Sequence, residues 1–272
     1  DDDFRNATID WEFTKQKVDE LVLSSFNDCK IVLTQGFIGA TDENESTTLG
    51  REGSDYTAAV FANMLDAQNV TIWKDVESVM NADPKQFVDA IHIAVLNYNE
   101  TVEMAYYGAQ VIHPKTIKPL QNKNIPLIVK CFIDPTLPGT LIHNNPIHEL
   151  PPIIVLKENQ VMLKVTTKDF SFVGDHEVGH LYQLFEGLHL KPNLTQIGAI
   201  SFVCVLDHWP EKIEKLALQA AEFLNVELTT GLDPQARRNL WELVKKIRER
   251  GTDKGEIHFI ASTNNRYYTS IA

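Results

Sequence analysis

The sequence predicts an α/β protein in two parts, and three observations carry that expectation. Short aliphatic, β-branched runs alternate with segments of helical spacing from the start of the chain, a breaker-rich stretch follows at 134–152, and the order strand, helix, strand, strand, helix, strand can be read across residues 153–229. The 272 residues suffice for one large domain or two modest ones at roughly 100–200 residues each.

Taken in order, residues 9–23 have helical spacing through Val18, Leu21 and Val22, and Lys30-Ile31-Val32-Leu33-Thr34 reads as a short buried strand ending in Gln35-Gly36-Phe37-Ile38-Gly39. After a polar stretch at 41–48, residues 54–67 return to helical spacing and Val70-Thr71-Ile72-Trp73 is strand-like. Asp83-Pro84 marks a turn, 97–108 reads as a helix with Asn99 as N-cap, and Ile125-Pro126-Leu127-Ile128-Val129 reads as a further strand.

From Ile153 two strand-like runs, 153–156 and 161–165, are joined by a polar turn. A helix at 176–187, strands near 194–196 and 200–206, a helix at 210–224 and a run at 226–228 complete a βαββαβ order, which is ferredoxin-like. Asp233-Pro234 then opens a basic helix that Gly251 stops near Arg250, and 256–261 has strand character. The division is therefore 1–144, 153–229 and a divergent helix-strand tail at 230–272.

Lys and Arg number 25 against 37 Asp and Glu, a net charge of −12, so no positive field is available to hold a nucleic-acid backbone. No apolar run nears the roughly 20 residues that cross a bilayer, and neither nucleic acid nor membrane is expected as a partner. Cys29, Cys131 and Cys204 form no CxxC pair, and with no basic and apolar leader before them a cytoplasmic protein is expected.

The most informative string is Thr47-Thr48-Leu49-Gly50-Arg51-Glu52-Gly53-Ser54-Asp55, between a glycine loop and the start of a helix. Gly50 and Gly53 let backbone approach a ligand, Arg51 offers a fork to a carboxylate or phosphate, and Ser54 and Asp55 sit where first-turn amides point outward. A substrate carrying both a carboxylate and an amine suits this set. The plainer alternative is an ordinary helix N-terminus with Ser54 or Asp55 as cap.

Five ordered motifs resemble aspartate kinases of the amino-acid-kinase fold. They are Gln35-Gly36-Phe37-Ile38-Gly39, Thr48-Leu49-Gly50-Arg51-Glu52-Gly53-Ser54-Asp55, Trp73-Lys74-Asp75-Val76, Asn81-Ala82-Asp83-Pro84 and Gly108-Ala109-Gln110-Val111-Ile112-His113-Pro114. The resemblance implies an αβα sandwich followed by a ferredoxin-like regulatory ACT domain at 153–229. It implies phosphorylation of the L-aspartate side-chain carboxylate by ATP with Mg2+, a step toward lysine, threonine and methionine, an amino-acid effector at the ACT-like region, and a homodimer. Residue by residue it makes Arg51 the clamp on the substrate carboxylate and Asp55 the partner of its ammonium group, with Thr48 and Ser54 nearby. Lys74, Asp75, Met80 and Lys85, with Gln110 and Val111, fall to the nucleotide.

Where this sequence has Lys85 and Gln110, the family often has Arg and Lys, so Gln110 forfeits a charge. Members also open with a Lys-Phe-Gly-Gly-type phosphate loop, a string that does not occur in these residues. The expectation is therefore an incomplete kinase sandwich, the C-terminal part of such a domain, with no catalytic residue assigned. The alternative function is a catalytically inactive chain that binds an amino-acid effector.

Two further motifs compete. His176-Glu177-Val178-Gly179-His180 matches H-E-x-x-H, which on a helix sets two imidazoles on one face as a zinc peptidase requires, but the extended pattern fails at Gln183 and Glu186. Zinc is not expected. Residues 230–241 resemble a segment of ABC-transporter ATPases, yet no G-x-x-x-x-G-K-[ST] loop accompanies them, and a helix capped by Asp233 is the reading kept.

Overall fold

A computed structural model of the chain describes residues 7–110, 112–147 and 149–229, and the backbone of 257–263 and 266–271. The chain divides into two compact units, Asp1–Leu150 and Pro151–Ala272. The basic helix expected at 234–250 lies outside the described residues.

In the first unit, α1 (Trp11–Lys17) is capped by Asp10, whose carboxylate accepts the Phe13 N–H at 3.0 Å, and runs on as a π-helical segment, Val18–Leu23. The expected strand at 30–34 does not form. Ile31 is 83% and Leu33 96% exposed, and among the described residues no strand pairs with this run. The short strands β1 (Ile38–Ala40) and β2 (Ser46–Thr48) pair antiparallel and lead into α2 (Gly53–Met64). Helix α2 buries Tyr56, Val60 and Met64 against Leu49, Val18 and Ala7.

Strands β3 (Val70–Lys74), β4 (Val95–Asn97), β5 (Leu127–Cys131) and β6 (Thr140–His143) form one sheet in the order β3-β5-β6-β4. β3 and β5 are parallel, as are β4 and β6, while β5 and β6 are antiparallel. Leu127, Val129, Leu96 and Ile142 are essentially fully buried. Gly139, at φ +73°, enters β6 where a Cβ would lie 2.2 Å from the Val129 carbonyl oxygen, so the turn between β5 and β6 admits no side chain. Helix α3 (Tyr98–Tyr106) starts two residues earlier than Asn99 as cap requires: Asn97 accepts the Glu100 N–H at 3.0 Å and Glu100 accepts the Asn97 N–H at 2.9 Å, a closed capping box. Helix α4 (Pro114–Gln121) completes this unit, with α2 and α3 packed beside it.

In the second unit β8 (Gln160–Thr167), α5 (Asp175–Gly187), β9 (Pro192–Ile197), β10 (Ser201–Asp207), α6 (Pro210–Ala220) and β11 (Leu224–Thr229) follow in βαββαβ order. Their sheet runs β11-β8-β10-β9 with every pair antiparallel. Val161, Leu163, Val165, Phe202, Cys204 and Leu206 face Leu181, Phe185, Ile213 and Leu216 of the two helices. The first of the two strand-like runs, 153–156, lies outside this sheet. It forms β7 (Ile153–Lys157), which pairs parallel with β12 (Ile257–Thr263), itself antiparallel to β13 (Arg266–Ile271). One polar cluster ties β7 to the other sheet: Lys157 Nζ contacts Asp207 and Asn193 at 2.9 Å each, and Gln160 and Asn193 donate to the same Asp207 oxygen at 2.8 and 3.0 Å. Burial works to raise the Asp207 pKa, but the bonds from Gln160, Lys157 and Asn193 outweigh it and hold the carboxyl below its usual range.

Two buried acids tie the stability of the fold to alkaline pH. Tyr98, 1% exposed, donates its hydroxyl to the Ile125 carbonyl, and burial pushes its pKa from 10.0 up to about 12. Burial likewise lifts Cys204 from 9.0 to about 12. Each raised folded-state pKa means that the native state holds the proton more tightly than the unfolded chain. Stability is thus complete below the unfolded pKa and falls by up to about 1.4 kcal/mol per pH unit and per group as pH rises toward 12. Urea midpoints should fall from pH 9 upward, and Tyr98→Phe should flatten the part of the decline that begins near pH 10. An identical decline in that variant would exclude Tyr98 as its source.

Candidate site at the start of α2

The loop before α2 is held from three directions. Its backbone turns through Gly50 at φ +80° and Glu52 at φ +53°, and the Leu49 N–H donates to the Phe37 carbonyl at 2.9 Å. Glu52 is no glycine, yet it occupies the left-handed region, and its carboxylate accepts the His113 N–H at 2.9 Å. Lys115 donates from Nζ to the Leu49 carbonyl at 3.1 Å and lies 4.8 Å from the Tyr56 ring centroid. On the third side the Phe37 N–H donates to Thr57 Oγ1 at 3.0 Å, and a Cβ on Gly53 would meet the Phe37 ring at 2.7 Å. Gly53 therefore answers to close packing of the loop onto the helix. Glu52, His113 and Lys115 carry no binding expectation in the sequence. The His113-Pro114 string hints at importance, but its partners lie 61 and 66 residues away.

The predicted acceptor residues gather on this frame. Arg51 is exposed, and among the described residues its guanidinium has no hydrogen-bond or ion-pair partner. Ser54 is exposed on the first turn of α2, against Gly36, and Thr48 ends β2 opposite Ile38. Asp55, also in the first turn, is paired with Lys74 Nζ at 2.6 Å, the two side chains being 14% and 25% exposed. Lys74 is the last residue of β3, so the pair stands at the carboxyl end of a parallel strand, where ligands of open α/β sheets bind.

The residues expected on the nucleotide side spread more widely. Asp75 is exposed just past β3, and Met80 is half-buried and bridged to His92 in antiparallel fashion. Lys85 is exposed, with its N–H on Asp83 Oδ1 at 2.9 Å, and Gln110 is exposed after α3. Among the described residues no hydrogen bond or ion pair links Asp75, Met80, Lys85 or Gln110 to Asp55 or Lys74. Val111 lies outside the described residues.

The H-E-x-x-H string is used otherwise. His176 is 90% exposed in its side chain, Glu177 caps α5 by accepting the Gly174 N–H at 3.0 Å, and His180 stacks on Phe223 with centroids 4.2 Å apart. Among the described residues no three His, Cys, Asp or Glu side chains could hold a metal ion together, and no helix is long and apolar enough to cross a membrane.

Residues 1–131 match the amino acid kinase family. A bifunctional aspartokinase/homoserine dehydrogenase 2, chloroplastic, of Arabidopsis thaliana is 43% identical over 122 residues, 45% of this chain and 13% of that protein. Lysine-sensitive aspartokinase 3 of Escherichia coli is 38% identical over 183 residues, 65% of this chain and 39% of that protein. Among solved structures, E. coli aspartokinase III in complex with lysine and aspartate superposes with a TM-score of 0.69 at 30% identity over 84% of this chain and 52% of that one. Its complex with aspartate and ADP gives 0.65 at 30% identity, over 84% of this chain and 53% of that one. The chain thus spans about half the length of the solved relative and less of the curated ones.

Proposed function

Residues 1–131 belong to the amino acid kinase family, in a chain homologous to aspartokinase III, and from that premise we propose that the start of α2 binds L-aspartate as the phosphoryl acceptor of an aspartokinase. The observation that carries the reading is the placing of opposite charges on one turn: the exposed guanidinium of Arg51, without a hydrogen-bond or ion-pair partner among the described residues, and, four residues on, the carboxylate of Asp55. A fork suits the substrate α-carboxylate, and Asp55 suits its ammonium group. The acceptor is then held at both ends of its backbone, leaving the side-chain carboxylate to project. Thr48 and Ser54 offer hydroxyls beside it.

ATP is assigned to the loop that follows β3, through Lys74, Asp75, Met80 and Lys85, together with Gln110 and Val111. The solved relative in complex with aspartate and ADP supports this pairing of ligands. The transferred phosphoryl group comes from the nucleotide and the attacking oxygen from the substrate, so protein side chains act by placement and charge. The described residues form no cluster fit to hold a metal by themselves, so Mg2+ is assigned to the nucleotide phosphates and no step is built on it.

The βαββαβ part of 153–229 is proposed as an ACT-like regulatory unit for an amino-acid effector, which the lysine-bound relative supports. A homodimer belongs to the same proposal.

L-aspartate titrated into the chain should give a calorimetric isotherm and raise the melting temperature, and Asp55→Asn should lose both. Absence of any aspartate-dependent signal in the unaltered chain overturns the assignment.

A further inference from the structure

We propose that Lys74 is a built-in rival for the substrate ammonium group, one that occupies Asp55 until an amino acid displaces it. The inference rests on the aspartate reading above and deepens it, because the group assigned to bind the substrate amine already has an amine on it.

Three observations carry it. Lys74 Nζ lies 2.6 Å from Asp55 Oδ2, within the range of a charge-assisted hydrogen bond, so the carboxylate is engaged by an ammonium group of its own chain. Both side chains are more than two-thirds covered, Asp55 at 14% and Lys74 at 25% exposure, so neither charge can be left alone without a desolvation penalty. The two anchors also differ in stiffness. Asp55 is a short side chain on the first turn of α2, in a frame fixed by Glu52, His113 and Lys115, whereas Lys74 is a four-carbon stem on the last residue of β3. When the pair parts, Lys74 is the member that moves.

Exchange of one ammonium for another keeps the charge of the pocket constant, so a ligand that brings its own ammonium can release Lys74. A dicarboxylate of the same length without an amine cannot, and it leaves the pair closed. The lysine freed in the exchange sits on the strand that leads into the loop assigned to the nucleotide, so acceptor binding adds a positive charge where a polyphosphate is expected. The cost is an apparent affinity for aspartate reduced by the fraction of chains in which Asp55 is open.

The test compares L-aspartate with succinate by calorimetric titration of the unaltered chain and of two variants. In Lys74→Met the unopposed Asp55 should bind aspartate about 5- to 30-fold more tightly and repel succinate, so the preference for aspartate rises. In Lys74→Arg the guanidinium should hold Asp55 more firmly, and the preference should fall below that of the unaltered chain. A general structural role of Lys74 would move both ligands together and leave the ratio fixed. In the unaltered chain, the lysine Nζ resonance of Lys74, slowed in exchange by its bond to Asp55, should vanish on adding aspartate and persist with succinate. That last reading is independent of whether either variant folds.

An unchanged or lower aspartate-to-succinate ratio in Lys74→Met, or a Lys74 resonance indifferent to aspartate, overturns the proposal. If Asp55→Asn abolishes aspartate binding at the same time, the acceptor site stands and only the role of Lys74 falls. If Asp55→Asn leaves aspartate binding intact, the acceptor reading falls with it.

Discussion

Replacing Arg51 by alanine is expected to weaken L-aspartate binding by roughly 30- to 1,000-fold, about 2–4 kcal/mol, while leaving the melting temperature of the chain nearly unchanged. The size follows from what the guanidinium is asked to do. It is the one arginine of the glycine-flanked loop, and its two parallel N–H groups match both oxygens of a carboxylate, which a lysine point charge cannot do. The small structural cost follows from its surroundings. Arg51 is exposed and makes no hydrogen bond or ion pair among the described residues, and the loop's shape is kept by Glu52, Lys115 and Phe37. Arg51→Lys should recover only part of the loss. Nucleotide affinity should hardly move. A titration in which Arg51→Ala binds aspartate as the unaltered chain does would remove Arg51 from the site.

Phe185→Ala should destabilise the second unit by about 3–5 kcal/mol, the span measured for deleting a large aromatic side chain from a packed core. Phe185 is 1% exposed, on the face of α5 that covers the β11-β8-β10-β9 sheet. Its ring meets Phe202 of β10 at 6.4 Å between centroids and takes the edge of Tyr182 at 5.6 Å. The residues around it, Leu163, Val165 and Leu181, are fully buried and sit on strands or helix that are themselves paired, so the hole cannot close by local collapse. At about 4–8 °C per kcal/mol for a unit of this size, its melting transition should drop by at least roughly 12 °C. Phe185→Leu should cost much less. A drop of only a few degrees in the alanine variant would mean that α5 is loosely docked.

The parts of this fold that the sequence made legible are those where period and punctuation agree. α5, α6 and β8 to β11 emerge from clean apolar spacing with Pro210 and Gly187 at helix ends, and the βαββαβ order follows. Where punctuation is dense, elements are hidden. α4 has eight residues with prolines at 114 and 119, and β6 lies among Pro138, Gly139 and Asn144, so both read as breakers. The run at 30–34 errs in the other direction: its composition is that of a strand, but hydrogen-bonded neighbours make a strand and composition cannot supply them. The cap at Asn97 was within reach, because Glu100 stands three residues on and completes the box; Asn99 has no such partner.

The candidate site divides in the same way. Glycine spacing and residue type single out Arg51, Ser54 and Asp55. Contacts across the fold do not announce themselves locally, and so Lys74 reaching 19 residues back to Asp55, and the grip of His113 and Lys115 on the loop, had no signal in the string.

The parallel pairing of β7 with β12 has a consequence for the order of assembly. Ile153 and Ile257 are partners with the whole βαββαβ unit lying between them along the chain. Closing so long a loop in an unfolded chain is entropically slow, and contacts of high sequence separation are the ones that delay folding. The interior unit has nearer partners and is expected to condense first, its collapse shortening the effective span that β7 and β12 must bridge. The outer strands are then expected to join last, pairing the chain just before the βαββαβ part with a strand that follows it in the sequence.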